Sequence, residues 1–200
     1  MNIEEYEKVK SFNYLQYCDY LQNKYGIGLA AYFTKSWNKN AKCTRTKDGL
    51  IAHHKFEDHA ILLGNPEYAI KNPYEWQLPE NIVYADYLEH LFLHILICEY
   101  PSPDQNKEEA VGIGGIINFI VPELNDLYSG WVTAQAWRSN CHALVKNDKN
   151  DYLILLKRFK HNCSNYPFYS KDCLYSSFNE DFGLWSKKQN LSLFKEIESL

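Results

Sequence analysis

The sequence lacks several features that would assign it to a common class of protein. None of its six cysteines belongs to a C-x-x-C pair, which argues against a disulfide framework or a paired-cysteine zinc site. No apolar stretch approaches the length that crosses a bilayer, and the first residues, 1–5, are acidic where a signal peptide would be basic and apolar. We therefore expect free thiols in a cytoplasmic protein with no membrane partner.

An excess of basic residues is also missing, since 21 Lys and Arg stand against 25 Asp and Glu and the net charge is −4. This excludes binding to nucleic acid through overall positive charge, but it leaves room for a local basic surface. Residues 35–55 supply one, with six basic residues and a single acid. Within it, the candidates for contact with phosphates are Lys39, Lys42, Arg45 and Lys47. The alternative is an ordinary solvated loop.

What the chain does contain is enough apolar sequence for a core. Hydrophobic residues make up 46% and aromatic residues 16% of the 200 positions, which suits one domain or one domain with an appended lobe. The pattern favours an α+β fold that is mostly helical. Predicted helices cover residues 3–25, 29–33 in part, 67–71, 131–145, 151–163 and 191–200, with an irregular segment from residue 164 up to the last of these.

Two short strands and a helix stand out in the middle of the chain. An apolar run at 49–52 follows an Asp-Gly turn signal, and β-forming residues occupy 81–85. Asp86 and Glu89 form a capping box, which predicts that a helix begins directly after Asp86 and stops before Pro101. Strand, long loop, strand and helix are therefore expected in this order.

Five polar residues lie at informative positions on these elements. His90 and His94 are four residues apart and share one face of the helix. His53 and His54 are neighbours at the end of the first strand, so they point to opposite faces. The fifth residue, Asn81, precedes His90 by nine positions.

Three of the four histidines can converge from the strand and the helix. We predict His53, His90 and His94 as ligands of a divalent cation, with Zn, Ni, Mn or Co favoured and Mg less suited to imidazoles. His54 is then the candidate general base, because it adjoins a ligand without having to be one. The side-chain carbonyl of Asn81 is predicted to accept the proton on the other ring nitrogen of His54 and so fix its tautomer.

The order His-His, Asn, His-x3-His resembles the motif of the HNH, or ββα-metal, endonucleases, a family that includes colicin-type and phage-encoded DNases. The resemblance implies that residues 48–100 form a ββα-metal nuclease core, with a helical region bearing the basic segment at 1–47 and a helical region at 101–200 packed on the core. It assigns the same roles to the five polar residues. It also implies hydrolysis of DNA to 5′-phosphate and 3′-hydroxyl ends.

Two departures from the family accompany this resemblance. The paired cysteines that hold many HNH fingers together would fall near Asp86 and Glu89, where the chain has none. The interval from His54 to Asn81 is also long, so an inserted loop at 55–80 must fit between the strands. Alternatives to a DNase are an RNA or structure-selective nuclease and a non-catalytic, metal-held nucleic-acid-binding module. The oligomeric state stays open, a dimer included.

A further motif lies beyond the helix. Gly112, Gly114 and Gly115 occur in an apolar run, an arrangement also found in phosphate-binding loops. The run is not followed by Gly-Lys-Ser, and close packing against a helix is the favoured use of these glycines.

Overall fold

The structure is a computed structural model and describes residues 1–178 and 190–200. The fold is mixed α and β, and 54% of it is helical, which confirms the expected α+β class. Residues 179–189 of the predicted irregular segment lie outside the described residues. Among the described helices, none combines the length and the apolar character needed to cross a membrane.

The N-terminal region contains two helices where the sequence predicted one. Helix α1 spans Ile3–Val9 and helix α2 spans Tyr14–Tyr25. Asn13 divides them, because its side chain accepts from the backbone N–H of Gln16 while the Gln16 side chain accepts from the Asn13 N–H. This reciprocal capping box starts a new helix more favourably than it continues the old one.

The predicted strands pair with each other. Strand β1 is Ile51–His54 and strand β2 is Ile82–Ala85, and they are antiparallel, with Ile51 opposite Ala85 and His54 opposite Ile82. Strand β1 begins at Ile51, two residues after the predicted start at Gly49, and it includes both histidines as expected. The inserted loop between the strands carries helix α3, Pro66–Ala69, close to its predicted position.

The helix that follows β2 is the centre of the fold. Helix α4 spans Tyr87–Glu99, and its first turn is held by the predicted capping box of Asp86 and Glu89. Its residues are apolar on nearly all sides and almost all are buried, as expected for a helix surrounded by other elements. It packs against α2, β1 and β2 and against helices from the C-terminal half, so the metal-ligand candidates it carries have a rigid support.

The remaining elements complete the shell around α4. Residues 29–33, predicted to be partly helical, contain no helix and instead lead into an antiparallel bridge between Phe33 and Lys39. A continuous helical stretch runs through residues 113–128 and contains a π-helical turn at Ile116–Ile120. In the described part of the C-terminal half, the helices are α5 (Ile113–Gly115), α6 (Val121–Tyr128), α7 (Ala136–Val145), α8 (Lys149–Asn162) and α9 (Leu191–Glu198). Short 3-10 turns are Ala41–Cys43, Thr46–Asp48, Tyr74–Gln77, Pro79–Asn81 and Lys171–Tyr175.

Candidate metal centre

The structure brings together the three predicted metal ligands. His53 extends from β1 toward α4, where His90 and His94 lie one turn apart. A fourth residue, Glu57, joins them from the turn that follows β1. One ligand atom from each of these four residues lies within 4.8 Å of the others, and the group can hold a metal ion.

Glu57 is a candidate ligand that the sequence pattern did not predict. Its Oε2 lies 3.3 Å from His53 Nδ1 and 3.4 Å from His94 Nε2, so its carboxylate faces two of the histidines. The residue belongs to the inserted loop, where no periodic element predicts its direction. The available signal was its position four residues after His53, at a distance from which a turn can bring a side chain back to the strand end.

A hydrogen bond to the backbone engages one ring nitrogen of His94 and leaves the other, Nε2, free to bind a cation. His94 Nδ1 lies 2.8 Å from the carbonyl oxygen of Gly112, which can only accept, so Nδ1 carries the proton. The lone pair is therefore on Nε2, which faces Glu57 and His90. A backbone carbonyl behind the ring is a common arrangement for histidines that bind metals.

The same logic applies to His53. Its Nε2 lies 2.8 Å from the hydroxyl of Tyr14, and that hydroxyl donates to the carbonyl of His54 at 3.2 Å. When the hydroxyl proton is engaged there, Tyr14 accepts from the Nε2–H of His53. The lone pair of His53 is then on Nδ1, a buried atom with no hydrogen-bond partner among the described residues, on the side of Glu57.

Burial favours the neutral form of the imidazoles of His53 and His90. Burial lowers the pKa of His53, and burial together with the neighbouring His94 and His53 lowers the pKa of His90 well below its ordinary value. Burial opposes ionisation of Glu57, but its contacts with His53, His54 and His94 hold the pKa of the carboxyl well below its usual range. His53 and His90 thus offer neutral nitrogens and Glu57 offers a carboxylate, the protonation states that a metal requires.

The distances fit a small divalent cation. His90 Nε2 and His94 Nε2 are 3.2 Å apart, and the nitrogen-to-carboxylate distances around Glu57 are 3.3 Å and 3.4 Å. Two ligands about 2.0–2.1 Å from a shared tetrahedral ion lie roughly 3.3 Å apart. Three imidazoles and one carboxylate suit zinc and its first-row neighbours.

The glycines that follow α4 pack against it, in agreement with the favoured interpretation. Gly112 supplies the carbonyl that accepts from His94, and its φ of +72° is one that glycine adopts readily. Gly115 lies against the His94 ring, where an added Cβ would be 2.6 Å from Nδ1 and 2.8 Å from Nε2. The absence of a side chain at Gly115 therefore makes room for the ligand imidazole.

We expect Gly115→Ala to displace the His94 ring, because the new methyl group would overlap it. Metal affinity should fall more than tenfold and the protein should lose about 1–3 kcal/mol of stability, the usual cost of overpacking. Competition with a chromophoric chelator and thermal unfolding measure the two effects. Gly114→Ala is the matched control, since its Cβ would lie 3.4 Å from the nearest atom, in ordinary contact. Equal metal affinity in both variants would refute this account of Gly115.

His54 occupies the opposite face of β1 and is buried. Its Nε2 lies 3.0 Å from Gln77 Oε1, and its Nδ1 lies 3.3 Å from Glu57 Oε1. The ring also packs edge-on against Tyr32, with centroids 4.6 Å apart. When Nε2–H donates to Gln77, the lone pair is on Nδ1 and faces the carboxylate of Glu57.

The predicted contact between Asn81 and His54 is replaced by the contact with Gln77. Asn81 Nδ2 instead donates to the carbonyl of Glu75 at 2.8 Å. The reason is local: Asn81 closes a 3-10 turn before β2, and its side chain turns back toward the preceding 3-10 turn, Tyr74–Gln77. Asn81 thus supports the turn that carries Gln77. No sequence signal identified Gln77, because it lies in the inserted loop.

The four predicted phosphate-binding residues lie in and around the two 3-10 turns before β1. Lys42 and Lys47 are exposed, and Lys39 lies over the Tyr32 ring, 5.1 Å from its centroid. Arg45 is more restrained, because its Nε donates to Asp48 at 2.9 Å and an Nη donates to the Tyr25 carbonyl at 2.7 Å. None of the four belongs to the metal-binding group.

Two cavities meet at the candidate metal centre. The first, of about 520 Å³, runs from Lys39 and Arg45 to His90. The second, of about 540 Å³, is lined by Glu57, His90 and His94 and by the glycine segment. His90 lines both, so each cavity borders the cluster at this residue.

Comparison of the chain with family models, curated proteins and solved structures found no match. The function is therefore inferred from the arrangement of these side chains.

Proposed function

We propose that this chain is a metal-dependent endonuclease of the HNH type that hydrolyses phosphodiester bonds in DNA. The observation that carries the proposal is the convergence of His53 from β1, Glu57 from the turn after β1, and His90 and His94 from α4. A second observation supports it: His54 lies on the other face of β1, and its Nε2 is within hydrogen-bond distance of the amide oxygen of Gln77. A ββα-metal finger at 48–100 accounts for both.

The four clustered residues would hold the cation. Such an ion stabilises negative charge on a phosphate oxygen and on the oxygen that leaves. The Tyr14 hydroxyl contacts Nε2 of His53, and the Gly112 carbonyl accepts from Nδ1 of His94. With these nitrogens protonated, each ring has the tautomer that the ligand role requires. The second cavity gives a phosphate access to Glu57, His90 and His94.

His54 acts as the general base in this proposal. Its Nδ1 takes a proton from the attacking water, the water oxygen bonds to phosphorus, and the bond from phosphorus to the 3′ oxygen breaks. Gln77 holds the Nε2 proton in place, and the carboxylate of Glu57, 3.3 Å from Nδ1, stabilises the imidazolium that forms. The fixed tautomer matters because only a bare Nδ1 can accept the proton.

The direct test is cleavage of plasmid DNA by the purified protein after removal of metals and addition of Zn, Mg, Mn, Ni or Co in turn. We expect cleavage with at least one cation and none with a chelator. A matched RNA of the same sequence tests the alternative of an RNA-directed nuclease. Tight metal binding without cleavage of either nucleic acid would overturn the proposal and favour a metal-held binding module.

The basic residues before β1 are proposed to contact the DNA backbone. Changing Lys39, Lys42, Arg45 and Lys47 to alanine should weaken DNA binding and reduce the slope of log affinity against log salt. The slope should change by roughly one unit for each phosphate that the protein no longer neutralises. Binding is measured in a salt series with His54→Ala protein, so that cleavage does not interfere. Turnover at saturating DNA should change far less than affinity.

Two controls make this salt experiment specific. A triple variant that keeps Arg45 separates phosphate contacts from the structural bonds of Arg45 to Asp48 and Tyr25. Lys157→Ala with Lys160→Ala removes positive charge from helix α8. Unchanged slopes in the segment variants would identify the segment as a solvated loop, and a change in the α8 variant would move the DNA-binding surface there.

A further inference from the structure

The first cavity contains more than the basic residues that lead into it. Its lining combines cations with exposed aromatic rings, and it ends at His90. Phe119 is 53% exposed and Trp137 is 43% exposed. Its volume of about 520 Å³ falls within the range of roughly 300–1,000 Å³ that is typical of small-ligand sites.

The position of Phe119 follows from an irregularity in its helix. Phe119 lies in the π-helical turn at 116–120, directly before the segment that contains Pro122. Proline has no N–H to complete the regular hydrogen-bond ladder, and π turns often occur at functional sites. Phe119 lines both cavities and so stands at the boundary between them, beside His90.

Arg138 is the most constrained polar group of the first cavity. Its guanidinium lies over the rings of Trp131, Trp137 and Phe178, at 5.6 Å, 5.3 Å and 5.8 Å from their centroids. Its Nε is 3.0 Å from Glu123. The guanidinium is thus fixed in direction rather than free in solvent.

Glu123 is held from a second side. Its carboxylate lies 2.6 Å from His142 Nε2 and is 3% exposed. The cavity therefore presents the carboxylate of Glu123 as an acceptor and the guanidinium of Arg138 as a donor, both held in place, beside the aromatic side chains of its lining. Arg donors and carboxylate acceptors recognise the edges of nucleobases, and aromatic side chains stack on their faces.

We propose that the first cavity binds an unpaired nucleobase of the nucleic-acid substrate, next to the phosphate at the metal centre. Phe119 and Trp137 stack on the base, Arg138 and Glu123 face its edge, and Lys39 and Arg45 attract the adjoining phosphates. This inference rests on the proposed nuclease function and narrows its substrate class to DNA or RNA with a single-stranded or extruded nucleotide. A base inside a duplex has both faces covered and does not fit this arrangement.

The test uses binding without cleavage. A short single-stranded DNA with one 2-aminopurine is titrated with metal-free protein in the presence of a chelator, and the fluorescence of the base reports stacking. Phe119→Ala and Trp137→Ala should each weaken binding about 5- to 150-fold, the range for removal of one stacked base, and should abolish the quenching. Phe168→Ala is the matched control, because Phe168 is also 53% exposed and lies outside the cavity lining.

Further outcomes separate this inference from the proposed function. Quenching by wild-type protein that cleaves nothing with any cation would support the base site and overturn the nuclease. Cleavage with unchanged KM in both cavity variants, and no quenching by the wild type, would overturn the base site and leave the nuclease intact. Trp137→Phe keeps a ring of smaller area and should retain most of the binding, so it distinguishes loss of stacking from misfolding of Trp137→Ala. A free 2-aminopurine nucleotide that binds as tightly as the oligonucleotide would refute a substrate-chain site.

Discussion

Replacing His54 with alanine is expected to lower the rate of DNA cleavage about a hundredfold or more. A positioned general base accelerates a reaction by a factor of roughly 10²–10⁴. His54 is placed for this role, because its Nε2 contacts the amide oxygen of Gln77 and its Nδ1 lies near the carboxylate of Glu57. Metal affinity should stay nearly unchanged, because His54 is not part of the metal-binding group. Single-turnover cleavage and metal titration of the same preparation measure both quantities.

The control for this experiment is His161→Ala, which removes an exposed histidine at the end of α8. That variant should cleave like the wild type. Turnover of His54→Ala at the wild-type rate would remove His54 from the mechanism and leave Glu57 as the nearest alternative base.

The roles of Gln77 and Asn81 can be separated in the same assay. Gln77→Ala removes the direct partner of His54 and should lower turnover more than Asn81→Ala, which removes only a bond to the Glu75 carbonyl. Loss of such an orienting partner typically costs about 10- to 100-fold. A larger loss in Asn81→Ala would restore the direct role that the sequence motif assigned to Asn81.

The second large effect is expected at the metal cluster. His94→Ala should weaken metal binding more than tenfold and abolish cleavage at limiting metal, because one of the four candidate ligands is removed and the Gly112 carbonyl loses its donor. Glu57→Gln keeps the shape of the side chain but removes its charge, and it should also reduce affinity tenfold or more. Metal titration by competition and calorimetry checks both variants.

A comparison between these two variants decides how many ligands the centre has. If His94→Ala lowers affinity and Glu57→Gln does not, the cation is held by histidines alone and Glu57 acts only on His54. His59→Ala serves as the control, since His59 contacts Asp58 and Ser102 rather than the cluster. Wild-type affinity in both cluster variants would refute the ligand set.

The part of the site that could be predicted from sequence depends on local periodicity. Asp86 and Glu89 determine where α4 begins, and the spacing of four residues then places His90 and His94 on one face. Strand alternation likewise separates His53 from His54. The helix start, the four-residue spacing and the strand alternation each depend on residues close in sequence, so they can be predicted without knowledge of the tertiary fold.

The part that could not be predicted lies in the inserted loop. Glu57 follows His53 by four residues but lies in a turn, where that spacing does not fix a direction, and Gln77 is far from both histidines in sequence, so only the folded loop brings the two side chains to His54. The single helix predicted for residues 3–25 failed for a related reason: apolar spacing continued across Asn13, and the capping box with Gln16 outweighed it. Irregular backbone carries no periodic signal, whereas caps and turns are decided by single side chains.

The insertion between β1 and β2 also has a consequence for folding. His90 and His94 share a helix whose hydrogen bonds are local, so their half of the cluster can form early in a nascent chain. Ile51 and Ala85 can pair only after the chain between them has closed into a loop. This closure lowers the conformational entropy of the chain before the contacts between the strands provide any compensating free energy. Closure of the loop brings His53, Glu57 and Gln77 to their positions beside α4 at the same time. The metal centre is therefore expected to assemble last, when a distant segment is brought to a helix that is already formed.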